Sequence, residues 1–208
     1  MRFTLRQSVF SGQSRSGSMN PKITLQPVSL EDIQRIATWL EDDEISDSWY
    51  GIDSERQPIH IGYSPHDFKS SADTPPLRKV QNNSRRIFSV YSSEEGHIGE
   101  AQLLIEWALQ DAQLYLLIGR KDLWHHHYGT AALIALLDEA FQNLQLHRVW
   151  VDVPEYNTHA ITMFNHIGFV LEGHLRATHR KNDAWYDSSA MGLLQDEYAR
   201  RRAIVVEP

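Results

Sequence analysis

One stretch of the chain places strand, loop and helix in the order that favours phosphate binding. Residues 114–118 (Leu-Tyr-Leu-Leu-Ile) read as a strand that runs into Gly119-Arg120-Lys121-Asp122-Leu123. Trp124-His125-His126-His127-Tyr128-Gly129-Thr130 then opens a helix with Leu133, Leu136, Leu137, Ala140, Phe141 and Leu144 on its apolar face. A loop feeding a helix N-terminus presents unpaired amide N–H groups at the positive end of the helix dipole, which suits a diphosphate. The three adjacent histidines do not suit a metal, because neighbouring loop residues point in different directions and zinc ligand sets draw on spaced positions. His66, His97, His147, His159, His166, His174 and His179 show no ligand-like spacing either, so no metal site is expected.

Three carboxylates lie on predicted strands, where alternation decides what they face. Residues 148–153 read as a buried strand, and strict alternation would set Arg148, Trp150 and Asp152 on one face. Asp152 could then serve a reaction as a base, pair with Arg148, or face water. Glu100 and Glu106 lie on a neighbouring strand at even spacing and are the reserve bases. The acidic run Glu41, Asp42, Asp43, Glu44 and Asp47 could attract a cationic amine or simply be a solvated helix end. Trp49, Tyr50 and Trp185 are candidates for a stacking wall around a substrate, or for core edges. A serine nucleophile has no support, since the chain has no Gly-x-Ser-x-Gly elbow.

The elements that must hold these residues can be read in order. Residues 23–27 alternate as a strand, and Ser29 with Asp32 caps a helix carrying Ile33, Ile36, Ala37 and Leu40. Residues 52–84 lack a period and read as a long irregular connection. Strands follow at 87–91, 97–107 and 113–119, then the helix at 129–144 and a strand at 148–153. A short helix at 157–167 ends at Gly168, and two strands between 169 and 194 turn at Lys181-Asn182-Asp183. The order predicts an α/β layered domain.

Composition bounds the rest. The 208 residues carry 20 Lys and Arg against 27 Asp and Glu, a formal charge of −7, which disfavours a broad nucleic-acid-binding face. There is no cysteine, so thiolate nucleophiles, disulfide scaffolds and cysteine metal sites are excluded. No apolar run approaches a membrane span, so no membrane partner is expected and the expected location is the cytoplasm. Residues 1–22 hold Arg2, Arg6, Arg15, Lys22 and no acid, and are expected to be a flexible tail, a targeting segment or the product of an upstream start. One domain is expected at 23–198, with residues 199–208 as a C-terminal tail.

Residues 86–194 resemble the GNAT family of acyl-CoA-dependent N-acyltransferases, most of all the branch of ribosomal-protein alanine acetyltransferases and their small-amine relatives. The likeness rests on the strand, the loop Trp124 to Gly129, the strand Val149 to Val153, Asn157, and Gly168-Phe169. Leu171-Glu172-Gly173-His174-Leu175-Arg176, Trp185-Tyr186-Asp187 and Met191-Gly192-Leu193-Leu194 extend it. The resemblance implies a GNAT fold, a central mixed and largely antiparallel sheet with helices on both faces. It also implies acetyl-CoA as co-substrate and a primary amine as acceptor, either a protein N-terminus or a small amine such as a polyamine or amino sugar. Homodimer formation is an open expectation. The competing expectation is a non-catalytic module of the same fold that binds an acyl-CoA or a partner.

Residue by residue, the resemblance puts the cofactor on Leu117, Ile118, Gly119, Trp124, His125, His126, His127, Tyr128, Gly129, Thr130, Asn157 and Phe164. The oxyanion donors would be backbone N–H groups at residues 117–119. The catalytic base would be Asp152, five residues before Asn157. Three departures stand out. Trp124 replaces Gln or Arg, His127 replaces the first loop glycine, and Phe164 replaces the tyrosine that protonates the thiolate.

Overall fold

The computed structural model describes residues 21–53, 55, 57–68 and 80–206. Residues 1–20, most of the expected N-terminal tail, lie outside the described residues. Seven strands form one sheet in the order β1-β2-β3-β4-β5-β7-β6. They are β1 (Ile23–Pro27), β2 (Arg85–Ser92), β3 (Gly96–Glu106), β4 (Asp111–Ile118), β5 (Arg148–Pro154), β6 (Val170–Lys181) and β7 (Ala184–Leu194). Every neighbouring pair is antiparallel except β4 and β5. The sheet is therefore mixed and largely antiparallel, as expected.

Alternation along the strands assigns the two faces. Val90, Ala101, Leu103, Ala112, Leu114, Val149, Val151, Met191 and Leu193 pack on one side with α3 (Tyr128–Asp138) and with Phe164 and Ile167 of α4 (Thr158–Ile167). Tyr115 and Leu117 face the other side, where Ile36 of α1 (Leu30–Trp39), Leu40 at its C-cap, and Ile45 and Trp49 of α2 (Asp43–Trp49) meet them. Helices on both faces bury the sheet, which completes the α/β layered fold.

Local chemistry explains the helix starts. Ser29 and Asp32 form the expected capping box, and Asp32 also accepts from Ser89 Oγ and Tyr91 Oη at 2.8 Å each. Helix α2 occupies what the sequence shows only as an acidic run. Asp42 caps it, its carboxylate accepting from Glu44 N at 3.0 Å and Ile45 N at 3.3 Å, so the acids build a helix end. Helix α3 is continued by a π turn at Glu139–Asn143.

The C-terminal end also departs from expectation. Helix α5 (Gln195–Val206) runs through the expected boundary at residue 198. Tyr198 is buried, and its hydroxyl donates to Asp138 at 2.9 Å. Arg202 Nη2 reaches the same carboxylate at 2.7 Å, so α5 is bolted to α3. The helix escaped notice because Gln195, Asp196, Glu197 and the arginines at 200–202 mask a single buried contact.

Candidate active site

The sheet opens at its one parallel junction. β4 and β5 pair only at Asp111↔Arg148, Ala112↔Val149 and Gln113↔Trp150. Beyond that point residues 114–118 pair with β3 alone and residues 151–154 with β7 alone. The Gly119 amide donates to Ile98 O at 2.9 Å, which fixes the ladder's alternation and turns the Leu117 amide toward β3 as well. The N–H groups of Leu116 and Ile118 therefore face the gap. Of the expected donors at 117–119, only Ile118 is turned the right way, because peptide groups along a strand alternate sides.

A cavity of about 60 Å³ lies at this split. Ser48, Trp49 and Tyr50 line it from the end of α2, Tyr115 and Leu116 from β4, Asp152 and Pro154 from β5, and Asn157, Ala160 and Phe164 from α4. Asp152 stands on the face opposite the α3 core, as alternation required. It turns into this pocket and leaves Arg148 to pair with Asp111 at 2.9 Å and with Glu172. Rings of Trp49 and Tyr50 lie 5.6 Å apart, Tyr50 and Tyr115 6.0 Å apart, and Tyr50 stacks on His179 at 5.1 Å and 23°. Gly51, with φ +75°, lets the chain after α2 press against the Arg180 carbonyl of β6, where a Cβ would stand 2.6 Å from that oxygen. That contact holds Tyr50 over His179.

Among the described residues, Trp49 Nε1 and Asp152 Oδ1 of this lining are buried without a hydrogen-bond partner, as are Tyr156 Oη and, under the Tyr50 ring, His179 Nε2. Native interiors leave few such groups, and each calls for water or a ligand. Burial, with the Asp152 charge adding to it, pushes the Tyr50 and Tyr115 hydroxyls above their usual range. Burial, then Asp47 and Tyr186, push Tyr156 up to about 12. Burial holds His179 below the usual imidazole value against the opposing pull of Asp152. These phenols keep their protons and His179 is neutral at neutral pH. The sequence offers His179 only as a histidine without ligand-like spacing, because nothing local marks a strand residue that a distant helix end covers.

The loop after β4 is built without glycine where glycine is expected. His125 and His127 sit at φ 65° and 63°, in the left-handed region, and His127 precedes α3 directly. Both imidazoles point outward and the His125 ring meets His159 of α4 at 4.6 Å. The loop keeps the backbone shape that glycine would favour and supplies it from histidine at some conformational cost. Trp124 does not offer its indole to a ligand, because Nε1 donates to Ile118 O at 2.8 Å. Tyr128 buries its ring in the core, so its expected role passes to its backbone. The amides of Tyr128, Gly129 and Thr130 form the first turn of α3, with no acceptor inside the helix. Gly129 has room for a Cβ, which would meet Met163 Sδ at 3.5 Å.

Three other expected residues stand elsewhere. Glu100 is fully buried and saturated: Gln102 Nε2 donates to it at 2.6 Å, Tyr63 Oη donates to it, and His60 Nε2 lies 3.0 Å away. Glu106 shares the face of Glu100, but it sits at the closed end of the sheet opposite Asp111 and accepts from Ala108 N at 3.1 Å. Six residues along a strand is about 20 Å, so spacing on one face does not imply one site. Trp185 is 64% exposed beside the β6–β7 turn, on the opposite face from its neighbour Tyr186. Phe164 packs edge-on against Phe169 at 5.0 Å, and Asn157 caps α4 through Ala160 N at 3.2 Å while its amide reaches Ser48 O at 3.3 Å. Among the described residues no group of three or more potential ligands could hold a metal, and no helix is long and apolar enough to cross a membrane.

Comparison with known proteins agrees with this geometry. The family profile described as Acetyltransferase (GNAT) domain matches residues 22–170. A spermidine N(1)-acetyltransferase of Vibrio cholerae is 24% identical over 186 residues, covering 88% of this chain and 99% of that protein. A probable N-acetyltransferase of Bacillus subtilis, YjcK, is 24% identical over 157 residues, covering 73% of this chain and 77% of that protein. The crystal structure of the Vibrio cholerae spermidine N-acetyltransferase in complex with CoA and spermine superposes with a TM-score of 0.71. It is 22% identical, over 85% of this chain and 98% of that one. A structure of the Vibrio cholerae enzyme with manganese ions gives 0.68 at 23% identity, over 88% of this chain and 99% of that one.

Proposed function

The chain belongs to the GNAT acetyltransferase family, and from that premise we propose that it transfers the acetyl group of acetyl-CoA to a primary amine of an aliphatic polyamine of the spermidine class. The observation that carries this reading is the split between β4 and β5, with the unpartnered Asp152 Oδ1 and Trp49 Nε1 in the cavity it opens. Acetyl-CoA supplies the thioester acetyl group. The residues fit it: a diphosphate suits the free amides of Tyr128, Gly129 and Thr130, and an extended amide chain suits the strand N–H groups of Leu116 and Ile118. With one of those N–H groups on the amide chain, the other, fixed by the β3 ladder, supplies a preorganised donor for a developing oxyanion.

The acceptor side follows from charge and shape. Asp152 meets an ammonium group, while Trp49, Tyr50 and Tyr115 offer π faces to the cation and apolar walls to its methylene chain. The net charge of −7 and the acids of α2 favour approach of a polycation. Phe164 places no hydroxyl at the cavity, so proton delivery to the leaving thiolate does not depend on that helix position. The transferase domain begins at residue 23.

The test is a panel of amines, with acetyl-CoA and a thiol-reactive dye reading CoA release. Spermidine and spermine should exceed an alanine-terminated peptide and an amino sugar by at least about tenfold in kcat/KM. Preference for the peptide would move the chain to the ribosomal-protein alanine acetyltransferase branch. Tight acetyl-CoA binding without turnover on any amine would favour the non-catalytic module instead.

A further inference from the structure

Among the four unpartnered atoms, Asp152 Oδ1 and His179 Nε2 are two hydrogen-bond acceptors, or one acceptor and one unused donor, buried on the same face of the sheet. They come from separate strands, β5 and β6, and are roofed by one ring. Tyr50 stacks on the His179 imidazole and lines the cavity that Asp152 enters. His179 is 3% exposed, and its other nitrogen, Nδ1, lies 3.1 Å from Thr178 Oγ1. Thr178 Oγ1 in turn lies 2.8 Å from Ser188 Oγ, so a hydroxyl chain can accept the Nδ1 proton and leave the Nε2 lone pair free.

An ammonium ion is the ligand that completes this arrangement. It brings protons to the two acceptors, Asp152 Oδ1 and His179 Nε2. An amine must also shed one proton before its nitrogen can attack a thioester.

We propose that Asp152 and His179 form the proton-accepting dyad of the acceptor site, with Asp152 anchoring the ammonium and His179 Nε2 receiving its proton by way of that carboxylate and a bridging water, since the two side chains share no direct hydrogen bond. This rests on the acetyl-transfer reading above. One N–H bond of the ammonium breaks and an Nε2–H bond forms. The freed amine lone pair bonds to the acyl carbon, the carbon–sulfur bond breaks, and sulfur leaves with the second nitrogen proton as the thiol. The imidazolium returns its proton to solvent, so each turnover releases one proton. Asp152 touches the substrate, and His179 acts through it as a positioning and proton-holding residue.

The groups that face His179 set its behaviour. They are Tyr50 after α2, Asp152 of β5, Tyr186 opposite it on β7, and Lys181 two residues along its own strand. Lys181 is neutralised by Asp47 at 3.1 Å and sits over the Tyr156 ring at 4.9 Å. Asp152 is therefore the one uncompensated charge among them, and it favours the imidazolium that forms during turnover.

His179→Gln removes the base and keeps a similar volume. With spermidine and acetyl-CoA, kcat is expected to fall about a hundredfold at pH 7 while the acetyl-CoA Kd and thermal midpoint stay near wild type. The limb of kcat/KM below pH 7 should disappear, leaving a rate that rises tenfold per pH unit up to the pKa of the amine. Added imidazole should recover activity in His179→Ala but not in His179→Gln. Asp152→Asn should instead raise KM for the amine as well as lowering kcat. A His179→Gln enzyme with kcat within fivefold of wild type and an unchanged pH limb would overturn the dyad. If wild type acetylates no amine at all, it is the acetyl-transfer reading that fails.

Discussion

Replacing Gly129 with Asp tests the cofactor cradle with little risk to the fold. Gly129 is the second residue of α3, and a Cβ there makes only ordinary contacts, 3.5 Å from Met163 Sδ and 3.9 Å from Ile118 Cγ1. Removing glycine from a helix gains about 0.5–1 kcal/mol, and an acid in the first turn adds roughly 0.3–1 kcal/mol through the dipole. The variant should therefore melt at or above the wild-type temperature. Binding should suffer in the opposite direction. One unit charge repelling another at roughly 6 Å through an effective dielectric near 20 costs about 3 kcal/mol. Ionic screening at 0.1 M roughly halves that figure, and a diphosphate carrying two charges roughly restores it. The expected loss of acetyl-CoA affinity is thus about a hundredfold. Gly129→Ala is the control and should bind within about threefold of wild type. Isothermal titration of acetyl-CoA into the three proteins decides the matter. Equal affinity in the Asp variant would refute the placement of the diphosphate, and an equal loss in both variants would show that glycine matters there for packing.

Further outcomes follow from single contacts. A Cβ at Gly119 would fall inside the Trp39 ring, so Gly119→Ala should destabilise the protein by about 1–3 kcal/mol in denaturant titration and loosen the loop behind it. His127→Gly relieves a left-handed histidine worth about 1–2 kcal/mol and should raise the melting temperature by roughly 2–8 °C, without more than a fewfold change in acetyl-CoA affinity. Burial lowers the pKa of both His97 and His179, with Arg35 also lowering the former and Asp152 opposing the effect on the latter. The unfolded chain then binds those protons more readily than the native one. Stability should fall as pH drops from 6.5 toward the folded values and be level above 6.5, which melting curves at pH 7.5, 6.5 and 5.5 will show. Asp32, held below 3.8 by hydrogen bonds from Ser29, Tyr91 and Ser89 that outweigh its burial, contributes evenly across that window.

The layered fold was legible because the strands alternate cleanly and α3 and α4 carry strong apolar faces. The pairing of Asp152 with the cleft was legible for the same reason, since period 2 decides a face. Period alone did not give position along the strand, so Glu106 joined Glu100 on one face yet lies at the far end. Nor did it give partners, so Glu100 looked available although Tyr63 and Gln102 occupy it. His60 and Tyr63 come from a connection with no readable pattern, and His179 meets the site through the Tyr50 ring, next to the close approach of Gly51 to β6. The left-handed backbone at His127 was equally hidden, because side-chain identity suggests glycine there and only the fold shows that histidine takes the same shape.

The three-pair junction between β4 and β5 also has a mechanical meaning. The sheet is two half-sheets, β1 to β4 and β5 to β7, joined at one end like the arms of tweezers. Helix α3, with α5 fastened to it at Asp138, is the spring that spans their back. A co-substrate lying between the arms would supply the cross-strand links that the chain itself omits. Its binding free energy is then also stiffness, and the melting temperature becomes a function of how full the cleft is.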